Sequence, residues 1–180
     1  MITLLKKEKA VDVLLNQEIV AFFQEKKSEI GPRALGNRSI LFDPRNKNGK
    51  EIVNKIKKRE NYRPFAGSIL AEHANTWFEM GNIKESPYML YSVPVKENKK
   101  NKIPSIVHVD GTCRVQTVTK EQNNQFYNLI QCFYKKTNIP ILLNTSFNMA
   151  GEPLVNTIED AINTIKKTNI KYFYVSRKQL

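Results

Sequence analysis

The sequence predicts an α/β domain, and three observations support this prediction. Short apolar runs alternate along the chain with amphipathic stretches of helical periodicity, which is the pattern expected when strands and helices follow one another. Hydrophobic residues make up 41% of the chain and charged residues 26%, which excludes a disordered or fibrous protein. The length of 180 residues corresponds to one domain, which we assign to residues 1–180.

The first half of the chain alternates apolar stripes of helical spacing with short continuous apolar runs. Val11, Leu14 and Leu15 give the first helix its apolar face. The predicted elements, in order, are a helix over 7–15, a strand over 19–23, a helix over 48–59, a strand over 65–70, a short helix over 73–80 and a strand over 89–95.

The second half begins with a lysine-rich stretch over 96–102, for which we predict an exposed, mobile loop. The clearest helix lies over 122–134, where apolar residues form one stripe. Thr157 and Asp160 have the spacing of a capping box at the start of a last helix over 157–167. The remaining predicted elements are strands over 114–119, 139–144 and 172–175.

The charge balance and the absence of several sequence signals narrow the class of protein. The net charge of +12 favours anionic partners, although a lysine-rich surface that serves only solubility explains it equally well. No apolar run approaches the roughly 20 residues of a membrane helix, and no secretory signal is expected. The two cysteines fit a reducing cytosol, so we expect a cytoplasmic protein without membrane contact. The histidines and cysteines have no zinc spacing, so no metal site is expected.

Arginine is concentrated in one part of the chain. Five of the seven arginines fall between positions 33 and 63, whereas lysine supplies most of the remaining positive charge. Because the guanidinium group is a rigid fork that matches phosphate and carboxylate oxygens, this clustering indicates an anion site.

The first arginine-rich segment, residues 29–45, reads EIGPRALGNRSILFDPR. Its Gly-Pro and Asp-Pro pairs place the arginines on loops or at element ends. Gly36 and Asn37 can supply backbone N–H groups for an anion nest. The alternative is a tight turn whose arginines pair with Glu29 and Asp43.

Three further segments carry polar residues at element ends. Residues 57–65 (KKRENYRPF) crowd positive charge at a helix end, where cations also interact favourably with the helix dipole. Residues 142–155 (LLNTSFNMAGEPLV) follow a buried strand, where α/β sheets bind ligands, although a turn could use the same polar groups. Residues 106–118 (IVHVDGTCRVQTV) suggest a tight turn followed by a strand that carries Arg114. Neither a Walker loop nor a dinucleotide fingerprint is present.

These four segments, in this order, resemble the C-terminal domain of the NodU/CmcH-type O-carbamoyltransferases. The resemblance runs from about Val11 to the end of the chain. Within it, Lys57-x-Arg59 and Ser146-x-Asn148 are similar to the KxR…SxN signature of YrdC-type proteins. The resemblance therefore implies a YrdC-like open twisted mixed sheet flanked by helices.

The same resemblance implies the activity. In that family, ATP, with Mg²⁺, and carbamoyl phosphate are converted to carbamoyl adenylate, which passes to a separate N-terminal transferase domain or subunit and then to an acceptor hydroxyl. We expect that N-terminal domain, with its metal-binding histidines, to be absent from this chain. The resemblance implies catalytic roles for Lys57, Arg63, Arg114 and Ser146, and substrate-binding or nucleotide-binding roles for Arg33, Arg38, Arg59, Thr145 and Asn148.

Alternatives remain open at this point. Any of Arg33, Arg38 and Arg59 could be a structural ion pair instead of a ligand contact. The chain could also be a basic RNA-binding module, but the basic segments lack an aromatic ladder, and we do not expect nucleic-acid binding. A third possibility is a non-catalytic subunit that only docks on a transferase.

Overall fold

A computed structural model describes residues 2–25 and 27–176. In this part of the chain, eight strands and six α-helices alternate, together with two single 3₁₀ turns. The strands are β1 Thr3–Leu5, β2 Val20–Gln24, β3 Arg38–Phe42, β4 Ala66–Leu70, β5 Ser92–Pro94, β6 Thr112–Val118, β7 Ile141–Ser146 and β8 Tyr172–Ser176. The helices are α1 Lys7–Leu15, α2 Gly49–Ile56, α3 Ala74–Trp77, α4 Glu97–Lys100, α5 Asn124–Thr137 and α6 Ile158–Lys166.

All eight strands belong to one mixed sheet in the order β1-β8-β2-β3-β7-β4-β6-β5. The pairs β1–β8, β2–β8 and β4–β6 are parallel, and the other pairs are antiparallel. Strand β7 lies between β3 and β4 and runs against both. The α/β prediction is therefore confirmed. No helix of the described residues is long and apolar enough to cross a membrane.

The core follows the predicted apolar pattern. Every residue of β2, β3 and β4 is buried, and the apolar stripe of α5 packs into the same core. The capping box of α6 is confirmed, because the Asp160 N–H donates to Thr157 Oγ1 and the Thr157 N–H donates to Asp160 Oδ2. These two bonds satisfy backbone donors at the start of the helix.

Two strands and one helix differ from the sequence-based expectation. β1 and β3 were not predicted, and β3 lies inside the arginine-rich segment 29–45. Arg38 is the first residue of β3, so it lies at an element end, as expected of the arginines. The loop prediction for 96–102 is wrong for Glu97–Lys100, which form α4. There the Lys100 ammonium pairs with Glu97 at 2.5 Å, and the Lys99 ammonium lies 4.9 Å from the centre of the Trp77 ring. These contacts favour a helical turn over a loop.

The helix predicted over 48–59 is shorter in the structure. α2 ends at Ile56, and Lys58 has a positive φ of 51°, which stops the helix. Lys57 keeps a helical backbone, and Arg59, which follows Lys58, leaves the helix direction. This early end places the Arg59 side chain at the candidate site and leaves Lys57 to bond Ser146 and Asn148.

Candidate functional site

The end of β7 and the first residues of β4 and β6 enclose a small polar cavity of about 200 Å³. Three arginines from three separate segments meet there with the hydroxyl groups that close β7. The polar residues that line it are Arg33, Arg59, Arg114, Asn144, Thr145 and Ser146.

Strand register explains why the cavity exists. Arg114 of β6 lies opposite Ala66 of β4, and Ala66 lies opposite Asn144 of β7. Residues that lie opposite one another project from the same face of a sheet. Ala66 contributes only a methyl group between two long polar side chains, so it leaves an open floor between them.

The Lys57 side chain holds the end of β7 in place through hydrogen bonds. Its buried ammonium group donates to the Ser146 carbonyl at 2.6 Å and the Asn148 carbonyl at 2.9 Å, with Ser146 Oγ at 3.2 Å and Asn148 Oδ1 at 3.0 Å. Burial, followed by the charge of Arg59, lowers the pKa of Lys57 to about 7. Lys57 does not line the cavity, and its contacts are those of a residue that positions Ser146 and Asn148.

Arg59 lines the cavity and is held by a residue that the sequence did not indicate. Its Nε donates to Asn54 Oδ1 at 2.6 Å, and its guanidinium lies 4.6 Å from the centre of the Phe65 ring. The Asn54 amide also donates to the carbonyls of Asn61 and Arg63, which fixes the turn after α2. Burial, followed by the charges of Arg63 and Arg114, lowers the pKa of Arg59 to about 10.

Arg114, like Arg59, lies close to other positive charges. Burial, followed by the charge of Arg33, lowers its pKa. Its Nε is buried and has no hydrogen-bond acceptor among the described residues. Since cations that lower one another's pKa are relieved by an anion, the cavity is suited to bind negatively charged oxygen atoms.

Arg63 lies outside the cavity. Its Nε pairs with Glu60 Oε2 at 2.8 Å, and half of its side chain is exposed. It lines a neighbouring basic groove of about 770 Å³ together with Lys55, Lys58 and Arg59. The cavity and the groove therefore share Arg59 as a common wall.

Arg38 does not reach the site at all. It is buried at the start of β3, and its guanidinium donates to the main-chain carbonyls of Gln24, Lys27 and Asn156. It also lies 3.5 Å from the centre of the Phe23 ring. Arg38 therefore has the structural role that was the alternative to a ligand contact, although it bonds carbonyls instead of an acidic side chain.

Hydrogen bonds from Glu29 and from the sheet fix the turn that carries Arg33. Glu29 Oε1 accepts the N–H groups of Leu35, Asn37 and Arg38, so the nest predicted near Gly36 is filled by a carboxylate of the chain itself. On the sheet side, Asn144 Nδ2 donates to the Ala34 carbonyl and Gln116 Nε2 to the Leu35 carbonyl. Because these two bonds from the sheet join residues 110 and 81 positions apart, no local signal could have indicated them.

Two other cavities lack this chemistry. One of about 630 Å³ lies beside Gln17, Ile52 and Ile170 and contains none of the predicted site residues. Another of about 400 Å³ lies among Tyr62, Val107 and Val109 and shares Pro64 and Phe65 with the polar cavity. The described residues contain no group of three or more histidine, cysteine, aspartate or glutamate side chains placed to hold a metal ion.

The model of the carbamoyltransferase C-terminus family matches residues 11–180. The chain belongs to this family. The match agrees with the resemblance stated from the four sequence segments, and it covers every residue that lines the polar cavity.

Curated relatives are considerably longer than this chain. The nodulation protein NolNO of Sinorhizobium fredii is 46% identical over 164 residues, which are 90% of this chain and 24% of the relative. The 3'-hydroxymethylcephem-O-carbamoyltransferase of Amycolatopsis lactamdurans is 38% identical over 83% of this chain and 28% of its own length. The chain thus spans about a quarter of these relatives.

Solved structures share the fold at low sequence identity. Full-length HypF in its phosphate- and nucleotide-bound form has a TM-score of 0.65 and 16% identity, over 93% of this chain and 24% of that one. Sua5 of P. abyssi, complexed with L-threonine, has a TM-score of 0.64 and 12% identity, over 97% of this chain and 49% of that one. The fold is therefore YrdC-like, as the resemblance implied.

Proposed function

We propose that this chain is the adenylate-forming part of a carbamoyltransferase, which converts carbamoyl phosphate and ATP to carbamoyl adenylate. The observation that carries the proposal is the meeting of Arg33, Arg59 and Arg114 beside the hydroxyl groups of Thr145 and Ser146. Two of these arginines have lowered pKa values, which is the electrostatic state that anion binding relieves.

The sizes of the two spaces support a division of the substrates. Pockets for drug-sized ligands usually measure roughly 300–1,000 Å³. At about 200 Å³ the cavity suits the smaller carbamoyl phosphate, and the adjoining groove of about 770 Å³ offers room for ATP. Arg59 stands between the two spaces, where the phosphates of both substrates would meet.

The reaction requires charge neutralisation and alignment. An oxygen of the carbamoyl group attacks the α-phosphorus of ATP, and the bond from that phosphorus to pyrophosphate breaks. Water takes the phosphoryl group of carbamoyl phosphate, so inorganic phosphate is the third product. The arginines would offset the charge that develops on the phosphate oxygens, and Thr145 and Ser146 would donate hydrogen bonds.

The remaining predicted site residues receive supporting roles. Lys57 holds Ser146 and Asn148 in place, and Arg63 faces the nucleotide groove. Mg²⁺ commonly binds through substrate phosphates and only one or two carboxylates. We therefore assign it to the substrate, as the magnesium complex of ATP.

The last step is assigned to another part of the protein or to a partner. Because the chain spans about a quarter of its longer relatives, we propose that a separate N-terminal transferase domain or subunit carries the carbamoyl group to the acceptor hydroxyl.

Pyrophosphate release tests the proposal. The chain should release pyrophosphate only when ATP and carbamoyl phosphate are both present. Arg114→Met should lower the rate by about 10²–10³-fold, since it removes a charge-assisted contact to the reacting phosphates. Arg63→Met should lower it less, because Arg63 lies outside the cavity. Release without carbamoyl phosphate, or an unchanged rate in Arg114→Met with an unchanged melting curve, would contradict the proposal.

A further inference from the structure

Asn144 lies at the floor of the polar cavity but plays no part in the proposed chemistry so far. It is only 2% exposed, and it occupies the strand position directly across Ala66 from Arg114. Every other long polar side chain of the cavity is a cation that donates hydrogen bonds. Asn144 is the buried residue there that also offers an amide oxygen.

The orientation of the Asn144 carboxamide is fixed by its neighbours. Its Nδ2 donates to the Ala34 carbonyl at 3.1 Å and to Ser68 Oγ at 2.9 Å. Because a carbonyl oxygen can only accept, the nitrogen must face Ala34, and the oxygen must face the other way. That oxygen, Oδ1, is buried and accepts no hydrogen bond from the described residues. Buried acceptors without a donor are uncommon, since they are costly to leave unpaired.

An unused donor lies across Ala66 from this unused acceptor. Arg114 Nε lacks an acceptor, just as Asn144 Oδ1 lacks a donor, and both belong to residues that line the same cavity. A fully ionised phosphate offers only acceptors, so it can satisfy Arg114 but not Asn144. A carbamoyl group offers a carbonyl oxygen and an NH₂ group on the same carbon, and it can satisfy both.

We infer that Asn144 is a specificity-determining residue, whose Oδ1 accepts a hydrogen bond from the NH₂ group of carbamoyl phosphate. This inference rests on the proposed function and names the atom that selects the substrate. Acetyl phosphate carries a methyl group in place of the NH₂ group. It would leave the Asn144 oxygen buried and unpaired, and sites built to bond a polar group strongly reject analogues that lack it.

Equilibrium binding by the full chain, without ATP, tests the inference. Isothermal titration with freshly prepared carbamoyl phosphate and with acetyl phosphate should show that the wild-type chain prefers the carbamoyl compound about tenfold or more. Asn144→Ala should bring this ratio of affinities close to one, mainly by weakening the binding of carbamoyl phosphate. The affinity for acetyl phosphate should change by less than about threefold.

Glu29→Ala is the matched control. Glu29 Oε1 accepts the N–H groups of Leu35, Asn37 and Arg38, so Glu29 holds the same turn as Asn144, but it neither lines the cavity nor bonds to Asn144. If this variant changes the affinity for both phosphates by the same factor and keeps the tenfold preference for carbamoyl phosphate, loosening of the turn does not account for the effect of Asn144→Ala.

Several results would overturn the inference. A wild-type chain without preference, or an Asn144→Ala variant that keeps the preference, would refute it while leaving pyrophosphate release intact. If Asn144→Ala instead altered only the discrimination between ATP and inosine triphosphate, the adenine amino group would be the donor. Failure of the wild-type chain to bind either small phosphate would refute the proposed function as well.

Discussion

Arg33 and Arg38 lie five positions apart in one motif but have different environments. Arg33 is exposed at the cavity, whereas Arg38 is buried and bonded to main-chain carbonyls. We predict that Arg38→Met lowers the free energy of unfolding by about 3 kcal/mol, because it leaves the buried Gln24 carbonyl and two partly buried carbonyls without this donor. Denaturant unfolding measures this change.

The companion variant separates stability from binding. Arg33→Met should change the free energy of unfolding by no more than about 0.5 kcal/mol, since its side chain is exposed. It should nevertheless weaken the binding of carbamoyl phosphate. The opposite pattern, with a stable Arg38→Met that has lost its affinity, would restore Arg38 as a ligand contact.

Lys57 gives the site a predicted pH dependence. Its pKa in the folded protein is lowered to about 7 from the ordinary 10.5, so a rise in pH through this window removes a positive charge beside the cavity. A bound anion favours the charged lysine and raises its pKa. Affinity for ATP should therefore fall as the pH rises from about 7 to about 8.5, where the nucleotide itself is almost fully ionised and Arg59 is still charged.

Two variants check the origin of this slope. Lys57→Met should bind ATP more weakly, and its affinity should not change across this pH range, because the ammonium group that bonds Ser146 has been removed. Lys58→Met, at the exposed neighbouring position, should retain the slope. A Lys57→Met variant with an unchanged slope would show that another group titrates.

At the scale of the secondary-structure elements, the turn that carries Arg33 depends on Gly36. Gly36 has a φ of +88°, and an added Cβ would lie 2.1 Å from a ring carbon of Phe126 on α5. We expect Gly36→Ala to reduce the free energy of unfolding by about 2–4 kcal/mol, from the left-handed backbone and the overpacked contact together. It should also weaken anion binding, since the turn must move.

Gly151→Ala isolates the backbone part of that effect. Gly151 has a similar φ of +78°, but an added Cβ would meet no atom within 4 Å. Its loss of stability should stay near the backbone contribution of about 1 kcal/mol. Equal losses in the two variants, measured by denaturant unfolding, would show that contact with Phe126 is unimportant.

The sequence predicted elements wherever apolar residues dominate the segment. β7 and α5 have strong apolar patterns, so both were found within a few residues. β3 was missed because breakers and arginines surround its short apolar run, and the exposed edge strand β1 has only three residues. Long-range pairing, which no local pattern contains, decides whether such segments join a sheet.

The candidate site was predictable only in part. The resemblance indicated Arg59, Arg114 and Ser146, which do share one cavity. It did not distinguish them from Arg38, because burial decides between a ligand contact and a structural bond. Asn144 gave no separate signal, since its unpaired oxygen depends on the register of β7 against β4.

At the scale of the whole molecule, an exposed apolar area adjoins the cavity. Tyr62 is 75% exposed and Val109 is fully exposed, and both line the cavity of about 400 Å³ that shares Pro64 and Phe65 with the polar one. Under the proposed function the adenylate has to pass to a transferase domain, so we predict that this area contacts that domain. Tyr62→Ser combined with Val109→Ser should weaken binding to the proposed N-terminal transferase domain or subunit at least tenfold in isothermal titration.

Leu4→Ser is the matched control for this surface. Leu4 is also largely exposed, but it lies on β1 at the opposite edge of the sheet from β6 and β5. It should leave the binding unchanged, and the double variant should still form carbamoyl adenylate at close to the normal rate. Equal weakening by both variants, or no binding by the unaltered chain, would contradict the predicted interface.

The crowding of Arg33, Arg59 and Arg114 has a practical consequence for identifying the substrates. Without a bound anion these like charges repel one another, and this repulsion lowers the free energy of unfolding. A metabolite that fills the cavity relieves the repulsion, and at a hundred times its Kd it adds about 2.7 kcal/mol by mass action. A heat-denaturation screen of small anions at equal concentrations should therefore rank the candidate ligands by the rise in melting temperature that each one causes.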